Sequence, residues 1–307
     1  MAEIKIKSMS HFCISNRIDD EKRNSELKAP EGILRFDTIH YAAHERHVLD
    51  VYRPKNSNDK LPVIVSIHGG GWVYGDKDLM QFYCMSLAEQ GFAVVNFSYR
   101  LAPEYKHPIP LEDANTVFEW VFENADVYRF DTNNIFAVGD SVGATMLSWY
   151  CCLCINPTYA KKMGIYPPKG FVPRAVGLNC GIYRFKRGEN HELIDSLASN
   201  YLPEAGTDEE YEEISVGKYV TADFPPSFIV TALGDFLVAQ SKPFCEYLQS
   251  LGVEAQYRCY GDDEDKLKHV FHVDLRLPQA LKCNADECAF FLSHIKDRQS
   301  FTGIVCE

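Results

Sequence analysis

Short, almost uninterrupted apolar runs alternate with segments of helical periodicity along most of the chain. The runs predict strands at residues 61–67, 92–97, 134–138, 175–179, 227–233 and 254–260, and the periodicity predicts helices at 78–90, 110–124 and 144–154. Strands that are apolar on both sides are typical of a parallel sheet covered by helices on each face. The alternation therefore predicts an α/β fold with a mostly parallel, doubly wound central sheet.

Two segments interrupt this alternation. About residues 1–30 are polar and mixed, and about residues 184–224 form a charge-rich insertion between two predicted strands, with a predicted helix at 192–201. An insertion at the ends of sheet strands is a natural lid. Residues 33–40 and 47–53 predict a hairpin ahead of the sheet. We interpret residues 1–307 as one domain.

The charge balance limits the class of partner. The formal net charge is −12, which argues against nucleic acid or an anionic membrane, because both are bound largely through Lys and Arg. No run approaches the ~18 apolar residues of a membrane span, and the N-terminus does not resemble a secretory signal. Eleven scattered cysteines, an odd number, indicate reduced thiols rather than a disulfide framework. We predict a cytoplasmic protein with a small-molecule substrate.

The strongest chemical signal is the G-x-S-x-G pattern around Ser141, which spans residues 139–143. It directly follows a predicted strand and precedes a predicted helix. A serine on such a sharp turn exposes its Oγ at a helix N-terminus, and its neighbours must be small. The pattern predicts that Ser141 is a nucleophile.

A second signal is the sequence HGGGW at residues 68–72, at the end of another predicted strand. Consecutive glycines let the backbone approach a substrate and direct N–H groups towards it, as an oxyanion hole requires. A phosphate-binding loop is the alternative, but the lysine and hydroxyl residue of that signature are missing. We predict oxyanion donors at Gly70, Gly71 and Val142.

A nucleophilic serine needs a base and an acid that orients the base. Asp235 follows a predicted strand, and His269 comes later in the chain, in the order nucleophile, acid, histidine. His272 is an alternative base. The acidic residues at 262, 263 and 265 are weaker candidates for the orienting acid. Asp235 itself has an alternative interpretation, as a structural residue of a turn.

Three segments together give the chain a family resemblance: HGGGW at 68–72, YRLAPE at 99–104 and GDSVGA at 139–144. With HVF at 269–271, the chain resembles the hormone-sensitive-lipase family of α/β-hydrolases, which includes bacterial esterases and acetyl esterases. The resemblance implies an α/β-hydrolase fold, a triad of Ser141, Asp235 and His269, and a small helical cap built from the two irregular segments. Arg100 and Glu104 are then structural supports.

The same resemblance implies a carboxylic ester hydrolase that acts on short, acetyl-like acyl groups without a metal or organic cofactor. We assign Trp72 and Asp140 to substrate binding, with packing in the core as the alternative for Trp72. The chain departs from the family at residues 235–237, where D-F-L replaces the usual D-P-L, and at Val142, where alanine is common. These departures affect the pocket rather than the triad.

Several alternatives stay open. An amidase or peptidase shares the same acyl-transfer machinery, and hydrolase folds also serve as non-catalytic ligand-binding proteins. The histidines at 40, 44 and 47 lack the H-E-x-x-H spacing of a metal site and are predicted to lie at the surface. Exposed sheet edges are compatible with a homodimer.

Overall fold

A single eight-stranded sheet organises the computed structural model, which describes residues 2–296, with side chains from Met9 onward. The strand order is β1-β2-β4-β3-β5-β6-β7-β8. β1 and β2 pair with each other, and β2 with β4, in antiparallel fashion, whereas all the other pairs are parallel. The strands are β1 (Ile33–His40), β2 (Val48–Pro54), β3 (Leu61–Ile67), β4 (Ala93–Phe97), β5 (Phe130–Asp140), β6 (Val176–Asn179), β7 (Ser227–Ala232) and β8 (Ala255–Tyr260).

Helices cover the sheet and link its strands. They are α1 (Ala2–Ser25), α2 (Lys77–Glu89), α3 (Ile109–Glu123), α4 (Ala125–Tyr128), α5 (Val142–Ile155), α6 (Pro157–Met163), α7 (Glu192–Tyr201), α8 (Asp208–Ile214), α9 (Val238–Ser250) and α10 (Pro278–Ser293). Short 3-10 turns lie at Val216–Lys218 and Phe271–Val273.

The core lies in two layers, one on each side of the sheet. Along β3, Val63, Val65 and Ile67 pack into the cluster that includes α3, α5 and α9. Ile64, which points the opposite way, packs into the cluster that includes α2 and α10. Because successive side chains of a strand point to opposite faces, a continuous apolar run supplies both layers. The predicted α/β architecture is confirmed.

The boundaries of most predicted elements agree with the structure to within a few residues, and the helix predicted at 192–201 coincides with α7. β5 is longer than predicted, because it begins at Phe130, where Leu61 pairs with it at the start of β3. The predicted hairpin is β1 and β2. β1 and β8 are the edge strands, and the homodimer stays a prediction.

The N-terminal segment contains a helix that sequence patterning did not predict. Three apolar side chains of α1 pack against the core, and polar contacts hold the helix against the loop that follows β3 and the first turn of α2. Arg17 pairs with Asp76 at 2.9 Å, the Tyr74 hydroxyl donates to Asp20 at 2.8 Å, and Arg23 donates to the carbonyl of Leu79. Such pairing arises only when distant residues meet, so it has no periodic signature.

The insertion between β6 and β7 carries α7 and α8. α8 begins with a capping box, in which Thr207 and Glu210 satisfy each other's backbone amides. The helix α7 contacts α1, so the two irregular segments of the sequence lie side by side. Among residues 2–296, no helix combines the length and apolar character that a membrane crossing needs.

Candidate active site

Ser141 occupies the sharp turn between β5 and α5. Its backbone has φ +53° and ψ −122°, and its amide donates to the Asn179 carbonyl at 2.8 Å. This left-handed conformation is strained for a residue with a side chain and is typical of a constrained functional position. A methyl group on Gly143 would lie 2.1 Å from the Ile67 carbonyl oxygen, so only glycine allows α5 to cross this close to β3.

His269 joins Ser141 to Asp235 through two hydrogen bonds. Its Nε2 lies 2.9 Å from Ser141 Oγ, and its Nδ1 lies 2.8 Å from Asp235 Oδ1. A parallel bridge between Gly234 and Lys268 brings the two loops together one residue before the acid and the histidine. The structure therefore assembles the three residues that the sequence predicted, in the geometry of a serine nucleophile, a base and an orienting acid.

Asp235 is almost completely buried and is surrounded by donors. Thr231 Oγ1 donates to its Oδ2 at 3.0 Å, and the Leu237 amide donates to its Oδ1 at 2.8 Å. Burial acts to raise the pKa of Asp235, but the hydrogen bond and charge of His269, the Leu237 amide and the Cys180 thiol outweigh burial and hold that pKa below its ordinary value. The carboxylate is thus ionised at neutral pH.

Two of these supporting groups were missed from the sequence. Thr231 lies inside β7 and Cys180 directly after β6, and neither position carries a motif. The atoms of Cys180, Asp235 and His269 that could bind a metal ion lie within 4.8 Å of one another. This group coincides with the candidate active site, and two of its members already bond to each other.

The alternative residues lie elsewhere. His272 is completely buried, and burial lowers its pKa to about 3. Among the described residues, neither of its ring nitrogens has a hydrogen-bond partner. Asp262, Asp263 and Asp265 are exposed on the loop after β8. Among the described residues, none of these side chains hydrogen-bonds to Ser141 or His269.

The glycine loop after β3 lies beside Ser141. Gly70 and Gly71 have φ values of +109° and +63°, and the Gly70 carbonyl accepts from the Val73 and Tyr74 amides. Among the described residues, the amides of Gly70, Gly71 and Val142 donate to no protein acceptor. Free, fixed amides next to a nucleophile are suited to stabilise a developing oxyanion.

Asp140 holds this loop in place. It is buried, and its Oδ1 accepts from the Gly69 amide at 3.0 Å. Burial raises the pKa of Asp140 to about 7, although the Gly69 hydrogen bond and the His269 charge act in the opposite direction. The predicted substrate-binding residue therefore contacts the glycine loop.

The assignment of Trp72 to substrate contact is corrected by the structure. Its side chain is completely buried and lies parallel to Tyr201, with ring centroids 4.5 Å apart, and to Trp149, at 6.2 Å. The stack attaches the glycine loop to α7 and α5. The sequence around an aromatic residue that follows a glycine loop is the same whether the ring faces a substrate or the core, so sequence alone does not separate the two roles.

The YRLAPE segment, residues 99–104, packs against the start of the glycine loop. The Tyr99 ring stacks on His68 at 4.1 Å, and its hydroxyl donates to the His68 carbonyl at 2.9 Å. Arg100 binds both carboxylate oxygens of Asp113. Glu104 is exposed and stays a predicted support.

The prediction that the histidine cluster lies at the surface is wrong for His47. This side chain is buried, and its Nε2 lies 3.1 Å from Asp113 Oδ1. His44 is half-buried and contacts the Tyr105 hydroxyl at 3.0 Å, whereas His40 is exposed. The carboxylate that Arg100 and His47 share comes from α3, far away in sequence, so local spacing did not indicate the burial.

Known proteins share this architecture. A model of the alpha/beta hydrolase fold family matches residues 64–273. The carboxylesterase NlhH of Mycobacterium tuberculosis is 28% identical over 252 residues, which cover 76% of each protein. An ethyl acetate hydrolase of Pseudomonas putida is 35% identical over 105 residues, 33% of each protein. The crystal structure of esterase B from Lactobacillus rhamnosis superposes with a TM-score of 0.87 at 23% identity, over 96% of each chain. The chain spans 60% or less of the length of several curated relatives that it matches.

Proposed function

Because the chain belongs to the α/β-hydrolase fold family, in the group of hormone-sensitive-lipase-like esterases, we propose that it is a carboxylic ester hydrolase with Ser141 as its nucleophile. The observation that carries this proposal is the hydrogen-bonded chain Ser141–His269–Asp235. The names of the matched relatives, a carboxylesterase and an ethyl acetate hydrolase, point to the same chemistry.

In the first stage Ser141 Oγ attacks the ester carbonyl carbon while His269 Nε2 takes the hydroxyl proton. Asp235 holds the Nδ1–H tautomer and stabilises the imidazolium that forms. The amides of Gly70, Gly71 and Val142 receive the oxyanion of the tetrahedral intermediate. The intermediate collapses when the C–O bond to the alcohol breaks, and His269 returns the proton to the leaving oxygen.

In the second stage water replaces the alcohol. His269 takes a proton from the water as its oxygen attacks the acyl-enzyme carbonyl, and the same amides stabilise the second intermediate. Collapse releases the carboxylic acid and restores the Ser141 hydroxyl. His269 returns the proton it took from water to Ser141 Oγ as the bond between Oγ and the acyl carbon breaks, so each proton transferred in the cycle passes through His269.

We propose short acyl chains, because apolar side chains crowd the oxyanion loop. A methyl group added to Gly71 would lie 2.6 Å from Cδ1 of Leu197, on α7 of the insertion. Val142 is completely buried next to Ser141. This crowding supports acetyl-like substrates over long chains.

The insertion, together with α1, is the proposed cap. Leu197 packs on Gly71 of the oxyanion loop, and His191, at the start of α7, contacts Phe236 at 4.9 Å between ring centroids. Phe236 in turn contacts His269. α7 thus reaches both sides of the candidate site, which is the placement expected of a lid.

Hydrolysis of p-nitrophenyl esters from acetate to decanoate tests the proposal. We expect turnover to be fastest for the shortest chains and to fall about 10⁴-fold or more in Ser141→Ala. His269→Gln is expected to lose activity to a similar extent, whereas His272→Gln, its matched control, keeps an intact triad.

Turnover of amides but not esters would move the assignment to an amidase. Equal activity in Ser141→Ala and the wild type would rule out the nucleophile. Circular dichroism of each variant separates loss of chemistry from loss of fold.

A further inference from the structure

Phe236 is an exposed aromatic side chain in direct contact with the proposed base. It follows Asp235 in the chain, the residue is 39% exposed, and its ring centroid lies 4.5 Å from that of His269. Trp72, Tyr74 and Tyr99, aromatic residues in or near the glycine loop, are all buried. Phe236 therefore has aromatic surface available to a bound molecule at this site.

A second ring supports Phe236 from the side of the insertion. The His191 ring lies 4.9 Å from Phe236, and its Nδ1 accepts from the Leu193 amide at 3.3 Å, which ties it to the first turn of α7. The three rings of His191, Phe236 and His269 form a row, which we call the aromatic row. It runs from the proposed cap to the proposed base.

Proton transfer in the first stage determines which part of the ester contacts the aromatic row. His269 Nε2 must protonate the leaving oxygen, so the first atoms of the alcohol part pass within contact distance of the imidazole. The acyl part leaves the carbonyl carbon in a different direction, while the carbonyl oxygen points to the amides of Gly70, Gly71 and Val142. Phe236, on the His269 side, is placed to contact the alcohol part.

We propose that Phe236 forms a binding surface for a flat aromatic ring in the alcohol part of the ester, an inference that rests on the proposed esterase function. Aromatic rings attract one another in offset-stacked or edge-to-face arrangements beyond the burial of their area. A saturated ring of the same size buries similar area without this attraction. The surface should therefore distinguish aromatic from saturated alcohols.

Benzyl acetate and cyclohexylmethyl acetate make this distinction measurable. Both give the same acetyl-enzyme and share a CH₂–O linkage to a six-membered carbon ring, so the ratio of their kcat/KM values reports the alcohol site. We expect the wild type to favour benzyl acetate and Phe236→Leu to reduce that ratio about threefold to tenfold. Phe236→Tyr keeps the ring and should keep the ratio.

Tyr247→Leu is the matched control. Tyr247 is exposed to a similar extent, 38%, but lies on α9, where its hydroxyl donates to the Gly217 carbonyl. Its replacement should leave the ratio unchanged. Hydrolysis of cyclohexylmethyl acetate by Phe236→Leu checks that the triad of this variant is intact.

The outcomes separate the two proposals. If the wild type hydrolyses neither acetate nor any p-nitrophenyl ester, the esterase function fails and the inference fails with it. If both acetates are hydrolysed and Phe236→Leu leaves their ratio unchanged, the aromatic alcohol site is wrong while the esterase stands. A ratio lost in Phe236→Tyr as well as in Phe236→Leu would also overturn it, because the aromatic ring would then not be the cause.

Discussion

The Asp140 carboxylate accepts a hydrogen bond from the Gly69 amide at 3.0 Å. This bond joins the residue before the proposed nucleophile to the loop that carries the proposed oxyanion donors. The two segments lie at the carboxyl ends of β5 and β3, which are neighbours in the sheet. The bond therefore sets the distance between Ser141 and the amides of Gly70 and Gly71.

Asp140→Ala is expected to lower kcat about tenfold to 100-fold. The Gly69 amide would lose its buried acceptor, and the loop would no longer be held at the nucleophile. Asp140→Asn keeps an oxygen acceptor at the same place and should stay within about fivefold of the wild type. Steady-state kinetics with p-nitrophenyl acetate measure both. An equal loss in the two variants would show that the charge, rather than the hydrogen bond, matters.

Gly71→Ala tests the oxyanion loop. The new methyl group would meet Leu197 at 2.6 Å, and φ at this residue is +63°, so the Gly71 amide should be displaced and kcat should fall at least about tenfold. Gly164→Ala is the control, because Gly164 has a similar φ of +69° with nothing within 4 Å of the added carbon. Its activity should be unchanged. Wild-type kcat in Gly71→Ala would contradict the proposed role.

Asp235→Asn should reduce kcat about 10⁴-fold, because the amide favours the wrong tautomer of His269 and no longer stabilises the imidazolium. Asp265→Asn changes an exposed acid on the loop that leads to His269 and should have no effect. Single-turnover kinetics with p-nitrophenyl acetate measure the acylation step in each variant. Loss of activity in Asp265→Asn alone would reassign the acid.

Glu287→Gln tests a buried carboxyl group behind the site. Burial raises the pKa of Glu287 to about 7, even though Asn179 and Tyr83 donate hydrogen bonds to it. Because the folded-state pKa exceeds the unfolded one, ionisation destabilises the native state as pH rises from about 4.5 to 7, and the penalty is complete above that range.

The wild type should therefore be less stable than Glu287→Gln at pH 8.5, by an amount on the order of 2–3 kcal/mol, and the difference should shrink at pH 5.5. Thermal unfolding at the two pH values measures it. The pKa of Asp140 is also raised to about 7, but Asp140 is present in both proteins, so its contribution cancels in the difference between their stabilities. Parallel pH profiles would show that Glu287 does not ionise within this range.

Sequence patterning predicted the elements whose signal is local. A strand buried on both faces needs a continuous apolar run, and the turn around Ser141 needs small neighbours, so β3 and this sharp turn were both predictable. Asp235 and His269 followed from the order of residues along the chain. The first two features depend on constraints among a few neighbouring residues, whereas the order of the acid and the histidine follows from the fold.

Only the tertiary structure decided whether Trp72 and His47 are buried or exposed, and what holds α1 in place. Trp72 stacks on Tyr201 from the insertion, His47 is buried against Asp113 from α3, and α1 is held by polar contacts with the loop after β3. The partners of these residues lie far away in sequence. The energy of a buried polar group or a stacked ring depends on what the fold places next to it, and residue order along the chain carries no direct record of that neighbour.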